Sequence, residues 1–218
     1  GALLRTFTAA NTGHRLGESV AGMPDVNGDG HGDIIASAPH EDGVIVGAGH
    51  GRVHLYSGKD GSEILSVGSA PPVYFQACHV AAVGDTNGDA VPDFIVGAPL
   101  ASLNGITSTG AGLVYSGSTG QLLFSITGFV LQDYVGDSVS GAGDVNADGD
   151  CDVIVGSPDA TNNWPHGMAA VHSGSDGSQI YALNGDPIYS GDFGWASAPA
   201  GDVDGDGYSD VVTGEQGA

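Results

Sequence analysis

DVNGDGHGDIIASAP, residues 25–39, joins a nine-residue stretch rich in acids and glycine to a short apolar run closed by proline. The stretch returns as DTNGDAVPDFIVGAP at 85–99, DVNADGDCDVIVGSP at 144–158 and DVDGDGYSDVVTGE at 202–215, with first aspartates 60, 59 and 58 residues apart. Positions 1, 3, 5 and 9 of every copy carry Asp or Asn. The β-branched run that follows is too short for a helix and reads as a strand buried on both faces. Four copies at a nearly fixed period describe one structural unit repeated along the chain.

Aligning the copies brings the rest of the unit into register. Small and apolar residues precede each loop, at 16–24, 76–84, 135–143 and 193–201. After a variable segment come GRVHLYSG (51–58), GAGLVYSG (110–117) and GMAAVHSG (167–174), then the turns KDGS, STGQ and SDGS, then EILSVGS, QLLFSITG and QIYALNG. That is four strands per unit with turn residues between each pair. No stretch sustains a 3.6-residue apolar period, so almost no helix is expected. The expected fold is all-β: a β-propeller of four-stranded antiparallel blades, three full repeats with partial blades at both ends. A linear array of small β-domains competes less well, because one such unit lacks a core of its own and must stack on neighbours. The whole of 1–218 forms one propeller region: a partial blade at 1–13, repeats at about 14–73, 74–132 and 133–190, and a partial repeat at 191–218. Residues 1–13 match the last strand of a blade, and the final unit stops after its second strand. A longer propeller, a small closed ring, or edges completed by another copy all follow from that phase, since unpaired edges are normally protected.

Phe193-Gly194 before the fourth loop and Gly97-Ala98-Pro99 after the second make a paired signature. Leu16-Gly17, Val135-Gly136, Ser37-Ala38-Pro39 and Gly156-Ser157-Pro158 are near matches, while Gln76-Ala77 and Gly214-Glu215 depart from it. With the acidic loop between its halves, the pattern resembles the FG-GAP repeat of integrin α-subunit heads and related bacterial surface proteins, over nearly the whole chain. The resemblance implies a seven-bladed propeller with cation loops between the first and second strands of a blade, and it implies no catalysis.

Oxygen-rich loops of this kind suit a hard cation. Side chains at positions 1, 3, 5 and 9 and the carbonyl at position 7 are the expected donors. They are Asp25, Asn27, Asp29, Asp33 and His31 in loop 1, and Asp85, Asn87, Asp89, Asp93 and Val91 in loop 2. Loop 3 offers Asp144, Asn146, Asp148, Asp152 and Asp150, and loop 4 Asp202, Asp204, Asp206, Asp210 and Tyr208. An all-oxygen set favours calcium, up to four ions, over zinc, copper or the stricter octahedron of magnesium. The EF-hand is excluded because Ala36, Val96, Val155 and Thr213 stand where its twelfth-position Glu is required. Asx-turns without an ion are the bland alternative for one loop, and four loops in register argue against it. Ala90, Pro92 and Ala147 interrupt the glycine pattern that lets the loop curl, so loops 1 and 4 fit best. The expected role is structural, since crowded carboxylates repel without a cation.

Composition narrows the remaining classes. Four Lys+Arg against 26 Asp+Glu give a net charge of −22, which argues against nucleic acid and anionic membrane surfaces. The four loops hold three, three, four and four of those carboxylates, so much of the acidity belongs to the cation sites. No apolar run has the ~18–20 residues of a membrane-spanning helix, so no membrane insertion is expected. Two cysteines, Cys78 and Cys151, make no disulfide framework, and their mutual pairing is left open. The start at Gly1 without Met reads as a processed product or an excised segment. Catalytic patterns fail one by one. His50 and His54 lie along a strand in which four residues span ~13 Å, too far to share a metal. Gly136-Asp137-Ser138 aligns with the ordinary first strand of the other units. The chain therefore reads as a non-catalytic calcium-binding extracellular or cell-surface scaffold for adhesion or fibre assembly. A carbohydrate-binding module and the accessory propeller of a larger secreted enzyme are the alternatives. A protein or carbohydrate ligand is expected on the face opposite the loops, where Tyr74, Phe129, Tyr134, Trp164 and Tyr189 fall in variable segments. Self-assembly through open blade edges is the further expectation.

Overall fold

Each of the first three continuous apolar runs becomes the second strand of a four-stranded antiparallel sheet, and the fourth becomes the second strand of a two-stranded one. The computed structural model describes residues 5–9, 13–41, 50–69, 75, 78–128, 131–158, 166–186 and 191–217. Blade 1 contains β1 (Val20–Met23), β2 (Asp33–Ala38), β3 (Arg52–Tyr56) and β4 (Glu63–Gly68) in that spatial order. Blade 2 repeats it with β5 (His79–Gly84), β6 (Asp93–Gly97), β7 (Ala111–Tyr115) and β8 (Leu122–Thr127). Blade 3 has β9 (Ser138–Gly143), β10 (Asp152–Ser157), β11 (Met168–His172) and β12 (Gln179–Asn184), and β13 (Asp192–Gly201) pairs with β14 (Asp210–Gln216) in a final two-stranded sheet. No helix occurs among the described residues. The fold is all-β and built of propeller-type blades.

The core lies between blades rather than within them. Alternate residues of a second strand face opposite neighbours. Phe94 and Val96 join Ile35, Val53, Leu55 and Val67 of blade 1 in one apolar cluster, while Ile95 joins Val153 and Val155 of blade 3 in the next. Ile154 and Val171 then meet Phe193 and Val211 of the partial blade. This is why the runs are apolar throughout instead of alternating. Ile35, Ile95 and Ile154 are 0% exposed, whereas Val212 at the same position of β14 is 55% exposed, and Trp195 on β13 is 49% exposed. The outer face of the partial blade thus has the sequence of a blade interface with no partner among the described residues.

The paired Gly signature marks the joint between successive blades. A Cβ on Gly97 would overlap the Gly136 carbonyl, and one on Gly156 would overlap the Gly194 carbonyl and Ser138 Oγ. In blade 2 the joint is made one residue earlier than spacing suggests. Phe75 is 1% exposed, and its N–H donates to the His50 carbonyl at 2.8 Å, as the Phe193 N–H donates to His166 at 3.0 Å. Phe75, not Gln76, therefore holds the aromatic position of the motif. Among the N-terminal residues, 5–9 form no strand. Phe7 packs on Tyr56 in a tilted arrangement with centroids 4.6 Å apart, and Arg5 donates to the carbonyls of Lys59 and Asp60. Phe7 lies against Gly61 as Val67 lies against Gly120 and Phe124 against Gly177, the place an outer strand takes beside the next blade.

Candidate metal centre

All four acidic loops connect the first and second strands of a sheet, and all fold alike. The position-1 carboxylate sits inside the curl and gathers the loop's own N–H groups. Asp25 accepts from Gly28, Asp29 and Gly30 at 2.8, 3.1 and 2.7 Å. Asp85 accepts from Gly88, Asp89 and Ala90, and Asp202 from Gly205, Asp206 and Gly207. Asp144 accepts from Asp148 and Gly149. The position-3 oxygens of Asn27, Asn87, Asn146 and Asp204 accept the N–H of position 5, and Asp29, Asp89, Asp148 and Asp206 accept that of position 7. The curl needs left-handed backbone at positions 4 and 6. Ala90 and Ala147 adopt it at φ 64° and 58°, where the other loop positions have glycine.

Position 9 fastens the loop to its own blade. Asp33, Asp93 and Asp152 are buried and accept the N–H of Val26, Thr86 and Val145 with one oxygen, and that of Gly58, Gly117 and Gly174 with the other. Those glycines belong to the turn between the third and fourth strands, so two turns are bolted together at the same end of the blade. Burial pushes the Asp93 and Asp152 carboxyls up from the usual range, against the hydrogen bonds that favour their charged forms. The opposite holds at position 5 of the first two loops. Burial raises Asp29, but hydrogen bonds from Ser57, Asn27 and the His31 N–H, with Lys59 nearby, hold it below its ordinary value. The Ser118 hydroxyl, 2.6 Å away, lowers Asp89 likewise. Ser57 and Ser118 escaped the sequence reading because they lie outside the loops, on the neighbouring turn.

The donor chemistry fits a hard divalent cation. Every side chain facing the curl offers oxygen, and in loop 4 ligand atoms of Asp202, Asp204 and Asp210 lie within 4.8 Å of one another. Three carboxylates so close repel, and a cation among them would relieve that repulsion. Among the described residues no other set of three acidic, His or Cys ligand atoms is gathered as tightly. Loops 1 to 3 share the curl but carry Asn at position 3, so an amide oxygen stands where loop 4 has the carboxylate of Asp204.

Other candidate residues fall into structural roles. His54 on β3 donates Nε2–H to Glu41 at 2.8 Å and stacks on Tyr56. His172 is buried and bonds through Nδ1 to the Gly177 carbonyl at 3.0 Å across its own turn. Cys78 and Cys151 are free thiols, and burial pushes Cys78 up to about 12. Of the aromatics expected on the opposite face, Tyr134 is partly buried, while Tyr74, Phe129, Trp164 and Tyr189 lie outside the described residues.

A blade-stacked β-protein with an acidic hairpin loop in every unit is the class this geometry defines. The FG-GAP repeat family matches residues 16–56, 79–116 and 193–218, and the chain is an FG-GAP repeat protein. It is 33% identical over 139 residues to integrin alpha-V of Gallus gallus, covering 60% of this chain and 13% of that protein. It is 36% identical over 189 residues to the phosphatidylinositol-glycan-specific phospholipase D of Bos taurus, covering 78% of this chain and 22% of that one. The chain thus spans under a quarter of these relatives. A rhamnogalacturonan lyase structure from Bacillus licheniformis aligns with TM-score 0.56 at 16% identity, over 90% of this chain and 39% of the lyase, a likeness of fold alone.

Proposed function

We propose that this chain is a calcium-stabilised, non-catalytic propeller scaffold that works outside the cell or at its surface, in adhesion or surface assembly. The observation that carries the reading is the set of four hairpin loops of all-oxygen donors, with three carboxylates converging in loop 4. The cation would be held by the side chains at positions 1, 3, 5 and 9 and the carbonyl of position 7, and it would supply charge neutralisation and cross-linking of the two turns. The similarity to integrin alpha-V supports the adhesion side of the proposal.

A melting curve tests it. Calcium at 100 times its Kd stabilises the folded chain by about 2.7 kcal/mol per site. At roughly 2–4 °C per kcal/mol for a chain of this size, each filled site raises Tm by about 5–11 °C over excess chelator. Identical melts in chelator and in millimolar calcium would refute the reading. Light scattering in calcium tests assembly through the open edge, and a compact monomer would remove that part. A second reading has its own support. The 36% identity to a phospholipase D favours an accessory propeller beside a catalytic region, which the full native reading frame would decide.

A further inference from the structure

The eighth residue of a cation loop reaches back to the loop of the preceding blade. The Cys151 N–H of loop 3 donates to the Asp85 carbonyl of loop 2 at 3.2 Å, and the Ser209 N–H of loop 4 donates to the Asp144 carbonyl of loop 3 at 2.9 Å. Both acceptors are position-1 residues, whose carboxylates organise the curl of their own loops. Both donors directly precede a position-9 carboxylate, Asp152 or Asp210. The corresponding link from loop 2 to loop 1 cannot form, because its donor position is Pro92, which has no N–H.

The residue before position 1 changes in step. Gly84 and Gly143 have φ of 113° and 72° and lie directly under the next loop. A Cβ on Gly84 would stand 2.5 Å from Cys151 Sγ, and one on Gly143 2.8 Å from Ser209 Cβ. Blade 1 has Pro24 there, which cannot take a positive φ. The strand pairing differs accordingly. Blades 2 and 3 and the partial blade bulge just before the loop, with Gly84, Gly143 and Gly201 paired to Asp93, Asp152 and Asp210, whereas Met23 pairs with Asp33 without a bulge.

We infer that loops 2, 3 and 4 are energetically coupled cation sites, linked through the Asp85–Cys151 and Asp144–Ser209 backbone hydrogen bonds, while Pro24 and Pro92 leave loop 1 outside this hydrogen-bonded linkage. The inference rests on the calcium reading. A cation drawing in the Asp144 carboxylate orders the peptide whose carbonyl holds Ser209, and with it the Asp210 ligand of the next loop. The effect is reciprocal, so filling loop 4 tightens loop 3 equally.

Calcium titration of the whole ¹⁵N-labelled chain, followed at the amides of Gly30, Gly88, Gly149 and Gly207, reads each loop separately. Asp148→Asn weakens loop 3 by removing one ligand charge. One hydrogen bond's worth of coupling then raises the calcium midpoints at Gly88 and Gly207 by about 2- to 12-fold, with Gly30 unmoved. Unmoved midpoints at Gly88 and Gly207, or an equal shift at Gly30, would overturn the coupling. Pro24→Gly together with Pro92→Ser supplies both the positive-φ residue and the missing donor, and Gly30 should then follow loop 2 and, through it, loop 3. Amide exchange in chelator isolates the links from the cation: Cys151 and Ser209 should exchange slowly, and fast exchange would overturn the links even where calcium binds. No calcium-induced change at any of the four glycines would instead overturn the calcium reading, and the coupling with it.

Discussion

Replacing Ala147 by glycine should stabilise the protein. Ala147 occupies position 4 of loop 3 at φ 58°, where the equivalent Gly28, Gly88 and Gly205 lie at 74°, 75° and 79°. A left-handed conformation costs an L-residue about 1–2 kcal/mol. Glycine removes that cost but makes the unfolded chain more flexible, which takes back about 0.4–1 kcal/mol. The net gain is roughly 0.5–1 kcal/mol, or about 1–4 °C in Tm. The strain belongs to the backbone of the curl, so the gain should be present in excess chelator and persist in calcium. Ala90→Gly at position 6 of loop 2, φ 64°, should behave alike. Gly149→Ala would load loop 3 with a second strained residue and lower Tm. The assay is a melt of each variant in both conditions. A Tm unchanged or lowered by both glycine substitutions in chelator would refute the argument, because it would mean that the curl is not formed without the cation.

Two further outcomes test the blade interior. Gly156→Ala forces a Cβ into the Gly194 carbonyl and should cost about 1–3 kcal/mol, whereas Gly214→Ala, at the same motif position with its nearest neighbour 3.9 Å away, should be near neutral; equal Tm losses would refute the joint. Burial lowers the pKa of His172 below its ordinary 6.5, so its contribution is present above that value and lost as pH falls through it; melts between pH 7 and 5 should show wild type losing stability relative to His172→Tyr, and a constant difference would refute this.

The strands were legible because the loops act as rulers: Asp33, Asp93, Asp152 and Asp210 each open a second strand, and an apolar run without alternation has one cheap explanation, burial between two neighbours. The ruler failed where its spacing changed. Ten residues separate Phe75 from Asp85 but nine separate Phe193 from Asp202, so counting back from the loop pointed to Gln76. The available signal was Phe75 itself, a large apolar residue just short of the expected register. Residues 5–9 resemble a strand in sequence yet form none. They pack through Phe7 and Arg5, contacts that depend on Tyr56 and the 59–61 turn rather than on local pattern.

The loop donors were legible for a chemical reason, since only Asp and Asn supply a side-chain oxygen at that reach. What spacing could not show is that the same carboxylates are also fold elements. Asp33, Asp93 and Asp152 each tie the loop to a glycine more than twenty residues away, on the turn beside it. Asp85 and Asp144 offer their carbonyls to the next blade. A cation bound by such residues would act on three turns at once: its own loop, the neighbouring turn of its blade, and the loop of the adjoining blade. Its removal should therefore not loosen one hairpin alone. It should weaken the interfaces where the Ile95 and Ile154 clusters are buried, which is why global stability is the proper readout for sites that lie at the rim of the molecule.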